Sequence, residues 1–214
     1  MKMYKMANYS GFNFIKVLSR SAIGAILYLS LLPNNISIAQ SSIILSPQEE
    51  ADLAKGKVIL EGEKGQYVVR VLTTGNIEKA WEVLTDYNNF PEFLPNITNS
   101  KILEENANLT IFEQTNSVDL FLLVKNFTVQ IAATKNYPQS IDFEIVEGDL
   151  EQLQGSWEVE ALPNNRILVT HRVTVVPKSK GEEAIFYGIY ESSLEETLTA
   201  IAAEISKRSE SETN

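Results

Sequence analysis

The 214-residue chain has no cysteine and a single histidine, His171, and these scarcities exclude several kinds of site. Thiol catalysis, redox motifs and thiolate metal sites all require cysteine. One histidine without cysteine cannot form a familiar zinc or iron site, so we expect no metal and no other cofactor. The sequence also lacks a phosphate-binding glycine loop, a dinucleotide-binding fingerprint and a nucleophile motif.

Positive charge is also scarce. The chain has 18 lysine and arginine residues against 28 acidic residues, which gives a formal net charge of −10. Such an acidic chain releases few counterions from a phosphate backbone, and no basic cluster with interleaved aromatic residues offsets the balance. We therefore expect no nucleic-acid partner. Nothing in the pattern predicts an oligomeric state.

The first 39 residues differ from the rest of the chain. Their charged residues are all basic: Lys2, Lys5, Lys16 and Arg20. An uncharged run over 21–32 follows, and Ser37 and Ala39 then place small residues before Gln40, an order typical of a secretory signal peptide. Since the run of about 12 residues is shorter than the roughly 20 needed to span a bilayer, we expect residues 1–39 to be cleaved after export. The destination would be a periplasm, a thylakoid lumen or the extracellular space, and a retained membrane anchor is the alternative.

The remaining chain is predicted to form one domain over 58–208, after a polar lead-in over 40–57 and before a frayed tail over 209–214. Within the lead-in, Ser46 is expected to begin a short helical turn that ends near Leu53.

Period-two and helical patterns then divide the domain into elements. Alternation over Tyr67–Thr73 predicts a strand, and Asn76 can cap an amphipathic helix over Ile77–Thr85. Apolar residues three and four apart predict a long helix over 182–208. Between the helices, short connections favour an antiparallel meander. Its predicted strands are 97–105, 109–118, 120–134, 140–147, 153–162 and 166–176.

The segment 86–95 contains two prolines and four large apolar side chains between helical and strand-like sequence. Pro91 and Pro95 lack an amide donor and are expected to push Phe90 and Leu94 away from helical angles. The segment is therefore predicted to be a bent connector that covers an apolar space.

These patterns resemble the START-like (SRPBCC) superfamily, and among its members the polyketide cyclase/dehydrase and coenzyme-Q-binding branch. The likeness spans about Val58 to Arg208 and depends on a few motifs: Asp86-Tyr87, Phe90-Pro91, Phe93-Leu94-Pro95, Gly148-Asp149-Leu150 and Leu153-x-Gly155-x-Trp157. The resemblance implies an α+β helix-grip fold, in which a curved antiparallel sheet wraps around the long C-terminal helix. The chain departs from the mitochondrial coenzyme-Q-binding members because its leader looks bacterial and secretory.

In a helix-grip fold the inward faces of the strands line a space beside the helix. Side-chain alternation selects the inward sets as Phe127–Ala133, Ile141–Ile145, Trp157–Ala161 and Ile167–Val175. These residues either pack on the helix as a solid core or surround an apolar cavity. For a cavity, the predicted ligand-binding residues are Trp81, Tyr87, Phe90, Phe93, Phe127, Phe143, Trp157, His171, Phe186, Tyr187 and Tyr190.

His171 falls on an inward face, where a histidine is ordinarily a hydrogen-bonded core residue. It could instead donate to a quinone or ketone oxygen, or act as a catalytic base beside Tyr187, Tyr190 or Glu147. The favoured function is non-enzymatic binding or transport of a lipophilic molecule such as a prenylquinone, lipid or pigment, with contact to a membrane. The alternatives are a cyclase/dehydrase-type enzyme that uses His171 and a protein-interaction module that assists a membrane complex.

Overall fold

The computed structural model describes residues 45–120, 123–179, 181 and 183–211, with the side chains of 119–124 also outside the description. The predicted leader over 1–39 lies outside these residues. In chain order the elements are α1 (Pro47–Leu53), β1 (Ile59–Glu63), β2 (Gln66–Thr74), α2 (Ile77–Thr85), a 3₁₀ turn (Tyr87–Asn89), α3 (Phe90–Phe93), β3 (Ile97–Glu105), β4 (Leu109–Leu120), β5 (Leu123–Asn136), β6 (Ser140–Gly148), β7 (Leu150–Leu162), β8 (Arg166–Pro177) and α4 (Glu183–Ser211).

The strands form one antiparallel sheet in the order β1-β2-β8-β7-β6-β5-β4-β3. This arrangement, with the long helix α4 beside it, confirms the predicted helix-grip fold. The predicted strands agree with the observed ones to within a few residues. The helix α4 continues to Ser211, three residues past its predicted end at Arg208.

The short helical turn predicted from Ser46 to about Leu53 is present as α1, and a capping box begins it. The Ser46 hydroxyl accepts from the Glu49 amide, and the Glu49 carboxylate accepts from the Ser46 amide at 2.7 Å. This reciprocal pair satisfies two amide donors that a helix start leaves free. The side chain of Arg70 is buried and pairs with Glu61 and with Glu49 of α1.

The helix α4 is joined to β2 by apolar packing and by hydrogen bonds. Its buried stripe consists of Leu194, Leu198, Ile201 and Ile205. The Thr73 hydroxyl donates to the Ala202 carbonyl at 2.7 Å, and the Tyr67 hydroxyl donates to Glu191 at 2.8 Å. These bonds connect β2 to α4 near both ends of the buried stripe, so they fix the distance between the helix and this part of the sheet.

The connector between α2 and β3 differs in part from the prediction. Phe90, which precedes Pro91, has helical angles (φ −50°, ψ −40°), so the expected extended conformation is wrong there. The reason is that Pro91 occupies the first turn of α3, where a missing amide donor costs nothing. Leu94, before Pro95, is extended at φ −90° and ψ 129°, which confirms the second half of the prediction.

Gly155 of the Leu153-x-Gly155-x-Trp157 motif lies where β7 and β8 approach closely. A Cβ atom at this position would overlap the carbonyl oxygen of Arg172 and would lie 2.9 Å from Cζ of Phe143. The glycine therefore serves packing, because its missing side chain leaves room for the Phe143 ring on the inner face of the sheet.

We expect Gly155→Ala to lower the free energy of unfolding by about 3 kcal/mol, since the overlap involves backbone that cannot move without disturbing the ladder. The matched control is Gly188→Ala on α4, where a Cβ meets nothing within 4 Å. That change should raise stability by about 0.5–1 kcal/mol. Urea unfolding of both variants measures the difference, and a Gly155→Ala variant as stable as the parent would contradict the close approach.

Candidate ligand-binding site

A cavity of about 520 Å³ lies between the inner face of the sheet and α4. Such a volume is within the range typical of small-molecule sites. Its apolar wall comes from every layer of the fold: Val83 and Leu84 of α2, the connector, the inner faces of β4–β8, and α4. The alternative of a fully packed core is therefore wrong for this part of the domain.

Most of the residues predicted for the site line this cavity. They are Tyr87, Phe90, Phe127, Phe143, Trp157, His171, Phe186 and Tyr190. Alternation on the strands identified the inward faces correctly here. At the far end of β7, however, Ala161 was predicted to face inward and is exposed, because it lies next to the turn over 163–165.

Three predicted residues do not line the cavity. Trp81 packs edge-on against Tyr137 instead, with the ring centroids 5.1 Å apart. Phe93 lies behind Phe90 and contacts the guanidinium of Arg208, 5.4 Å from the ring centroid.

Tyr187 is the third of these residues. It follows Phe186 on α4, and one residue of a helix turns the side chain by about 100°. Its ring lies near Gly65, outside the cavity, whereas the rings of Phe186 and Tyr190 line it.

Burial along the elements shows which end of the cavity is open. On β5, Ala133 is buried, Phe127 is half-buried and Lys125 is exposed. On α4, Ile201 is buried, whereas Ile185 at the start of the helix is 63% exposed. Exposure therefore increases toward the start of β5 and toward the start of α4. The mouth of the cavity lies between these two ends.

The mouth also carries charged groups. Lys125, Asp149 and Lys178 are exposed and line it. The Lys178 ammonium donates to the Gly148 carbonyl at 2.5 Å, and the Asp149 carboxylate accepts from the Thr128 amide at 2.8 Å. These bonds connect the β8–α4 loop to the β6–β7 turn, and that turn to β5.

His171 lies on β8 at the closed end of the cavity. The register pairs His171 with Trp157, Trp157 with Ile141, and the neighbouring Phe143 with buried Ala133. The imidazole stacks between two rings, with its centroid 3.8 Å from Trp157 and 5.5 Å from Phe143. The Nδ1 atom is 3.3 Å from the carbonyl oxygen of Ser156.

This hydrogen bond fixes the tautomer of His171. A carbonyl oxygen can only accept, so Nδ1 carries the proton and Nε2 is an acceptor. Burial lowers the pKa of His171 to about 3, and the Ser156 hydrogen bond opposes that shift only in part. The imidazole is therefore neutral at pH 7. With this tautomer Nε2 has no proton, which weighs against the expectation that His171 donates to a quinone or ketone oxygen.

Two tyrosine hydroxyl groups contribute further polarity. Burial raises the pKa values of both Tyr87 and Tyr190 above their ordinary range, so both stay protonated. The Tyr87 hydroxyl is buried and has no hydrogen-bonding partner among the described residues. Its ring stacks on Phe112 with the centroids 4.3 Å apart. The ring of Tyr87 therefore lines the cavity, whereas its hydroxyl is enclosed by protein.

The sequence interpretation did not identify the polar lining on β4. Gln114 and Asn116 face the cavity, and the Gln114 amide donates to Asn116 at 3.0 Å. The pattern that could have revealed them is alternation, since they follow Phe112 at positions two and four residues on. Amide side chains on a strand usually indicate a solvent-exposed face, so the sequence pattern did not identify Gln114 and Asn116 as cavity residues.

Two kinds of feature are absent from the described ranges. No group of three or more histidine, cysteine, aspartate and glutamate side chains there could hold a metal ion. No helix there is both long and apolar enough to cross a membrane.

The sheet, the gripping helix and the internal cavity together define a START-like protein with a hydrophobic pocket. Residues 76–202 match the family described as polyketide cyclase / dehydrase and lipid transport, and the chain belongs to this family. This finding confirms the predicted superfamily and its cyclase/dehydrase branch, but it does not single out coenzyme-Q-binding members.

Among known proteins, the chain is 30% identical to the ribosome association toxin RatA of Escherichia coli over 109 residues. The match covers 50% of this chain and 65% of that relative, so it spans less than two thirds of the relative's length.

Two solved structures share the fold at 16% identity. The Zhui aromatase/cyclase from Streptomyces sp. R1128 has a TM-score of 0.56 and is covered over 95% of its length by 70% of this chain. A STAR-related lipid transfer protein from Xanthomonas axonopodis has a TM-score of 0.57 and is covered over 90% of its length by 69% of this chain. At this identity the likeness shows the fold alone.

The lowered pKa of His171 predicts a pH-dependent stability. The folded pKa of about 3 lies below the ordinary value of 6.5, so the unfolded chain binds a proton first as the pH falls. Stability should therefore fall by about 2 kcal/mol between pH 7 and pH 5. The carboxylates with lowered pKa values, such as Glu105 and Glu204, titrate below this window.

Urea unfolding at both pH values measures the loss, and His171→Phe should remove most of it. A loss of equal size in that variant would contradict the assignment to His171.

The unpartnered hydroxyl of Tyr87 predicts an unusual response to its removal. Tyr87→Phe should leave stability unchanged or raise it by about 1 kcal/mol, because a buried hydroxyl without a partner is unfavourable. The matched control is Tyr67→Phe, since the Tyr67 hydroxyl donates to Glu191. That variant should lose about 1 kcal/mol. Thermal or urea unfolding without ligand compares the two, and an equal loss in both would contradict the assignment.

Proposed function

We propose that this protein binds and carries a hydrophobic small molecule in the cavity between the sheet and α4, without catalysis. The observation that supports this function most directly is the cavity of about 520 Å³ with its aromatic and aliphatic walls. The family description includes lipid transport, and a structural neighbour is a lipid transfer protein, which agrees with this proposal.

The energetics of such a site favour an uncharged ligand. Removal of apolar surface from water contributes roughly 25 cal/mol per Å², so a ligand that buries a few hundred Å² reaches micromolar affinity without an ion pair. The described side chains at the closed end include no charged group that could pair with a ligand charge there. Prenylquinones, lipids and pigments, the expected ligands, all fit this chemistry.

We also propose that the ligand enters between the start of α4 and the start of β5. The connector over 86–95 is part of the closed wall, since Tyr87, Phe90 and Leu94 are buried. Exposed Ile185 beside Lys125 and Lys178 gives the mouth both apolar and basic groups, as transient contact with a membrane surface would need.

The location that fits this role is outside the cytoplasm, either free or anchored through residues 1–39. The basic, apolar and small-residue order of that segment supports the proposal. Mass measurement of the mature protein from its own host tests it: a chain that begins at Gln40 indicates cleavage and export, and an intact Met1 with membrane fractionation indicates an anchor. An intact chain in the cytoplasmic fraction would contradict both.

Blocking the cavity tests the binding function. Ser193 lines the cavity on α4, whereas its neighbour Ser192 is exposed. Delipidated protein should bind a prenylated quinol or a long-chain fatty alcohol at micromolar concentration, and Ser193→Trp should weaken binding at least about tenfold by filling the space. Ser192→Trp should bind as the parent does. Fluorescence titration and native mass spectrometry provide the measurements, and no detectable binding by the parent would overturn the proposal.

A second candidate is a cyclase/dehydrase-type enzyme, favoured by the family description and by the position of His171 inside the cavity. The lowered pKa makes His171 a weak base at pH 7, which weighs against this role. Turnover that His171→Ala abolishes would favour the enzyme, whereas intact ligand binding without turnover would favour the carrier.

An interaction module is the third candidate. The relative named for ribosome association supports it, yet the net charge of −10 is opposite to that expected for contact with RNA. Binding to a membrane complex by a variant with a blocked cavity, such as Ser193→Trp, would favour the interaction module over the carrier.

A further inference from the structure

The imidazole of His171 offers one hydrogen-bonding atom to the cavity, and the surrounding contacts determine what that atom can accept. The side chain is 5% exposed and lines the cavity. Its Nδ1 atom is bonded to the Ser156 carbonyl, and no described residue bonds to Nε2. Nε2 is not among the enclosed polar atoms that lack a partner, and His171 lines the cavity, so a ligand or water there can donate to it.

Stacking prevents His171 from exchanging the roles of its two nitrogens. The rings of Trp157 and Phe143 lie nearly parallel to the imidazole, at 20° and 21°. A flip about the side-chain axis would move Nδ1 away from the Ser156 carbonyl and leave that bond unmade. Nδ1 therefore remains the donor to the Ser156 carbonyl, and Nε2 remains an acceptor that a ligand can use.

We propose that the cavity selects an uncharged amphiphile that donates a hydroxyl or N–H hydrogen bond to Nε2 of His171. Phenols, quinols and alcohols satisfy this condition, whereas quinones, ketones and ethers offer only acceptors. This inference depends on the proposed binding function and defines its ligand class.

The position of His171 also sets the orientation of the ligand. The register carries His171 across β7 and β6 to Lys135, two residues beyond Ala133 and far from the exposed mouth at Lys125 and Ile185. The donor group must therefore enter first. The apolar body then lies along the inner faces of β4 and β5 toward the start of α4, and a long chain would extend to the mouth.

A pair of probes isolates the hydrogen bond. Naphthol and its methyl ether have the same aromatic body, and only naphthol can donate. The quantity to compare is the dissociation constant of the methyl ether divided by that of naphthol. We expect this ratio to be about tenfold higher in the parent protein than in His171→Phe, because that variant keeps a stacked ring but removes the acceptor. The comparison of ratios cancels the different hydrophobicity of the two probes. Phe127→Leu, at a cavity residue nearer the mouth, is the control and should leave the ratio unchanged.

A second measurement needs no variant, because His171 is the only histidine of the chain. Nitrogen NMR of histidine-labelled protein should show a protonated Nδ1 and an unprotonated Nε2. Naphthol should shift the Nε2 resonance, and the methyl ether should leave it in place. A protonated Nε2 in the free protein, or an unshifted Nε2 with naphthol bound, would overturn the proposal.

The outcomes separate this inference from the function on which it depends. If neither probe binds, no long-chain ligand binds and the cavity variants change nothing, the carrier function fails. If both probes bind with the same ratio in the parent and in His171→Phe, the carrier function stands and the selection of a donor by His171 is wrong.

Discussion

The attachment of α4 to β2 is the constraint on which the rest of the structure depends. Hydrogen bonds from Tyr67 and Thr73 and the buried stripe of the helix fix the helix against this strand. At its far end, Arg208 pairs with Asp86 at 2.8 Å, which also joins the helix to the end of α2. Because the helix is held along one side of a curved sheet, the strands beyond β8 bend away from it, and that separation creates the cavity.

The same constraint explains the polarity of the cavity. Strands that curve away from a fixed helix are closest to it at one end and farthest from it at the other. Burial follows this geometry, from Ala133 and Ile201 at the closed end to Lys125 and Ile185 at the mouth. A neutral histidine is tolerated at the closed end because its ring is covered by aromatic faces and one nitrogen is bonded to the backbone.

The sequence predicted the elements well because period-two and helical patterns report which face of an element is buried. It predicted the position of side chains on α4 less well. Tyr187 belongs to the same aromatic group as Phe186 and Tyr190, and only the contact of α4 with β2 places it outside the cavity. Arg70 shows a similar limit, since the short helix α1 covers a strand face that the alternating pattern marks as solvated.

The polar pair on β4 would give the cavity a second level of selectivity. Gln114 and Asn116 bond to each other, so their remaining amide groups face the interior partly satisfied. Such groups disfavour a ligand that is apolar along its whole length, because it would cover them without replacing their hydrogen bonds to water. A ligand with a polar atom partway along its body would lose less. Shape from the curved sheet, an acceptor at His171 and amides on β4 would thus restrict the proposed ligand in three independent ways.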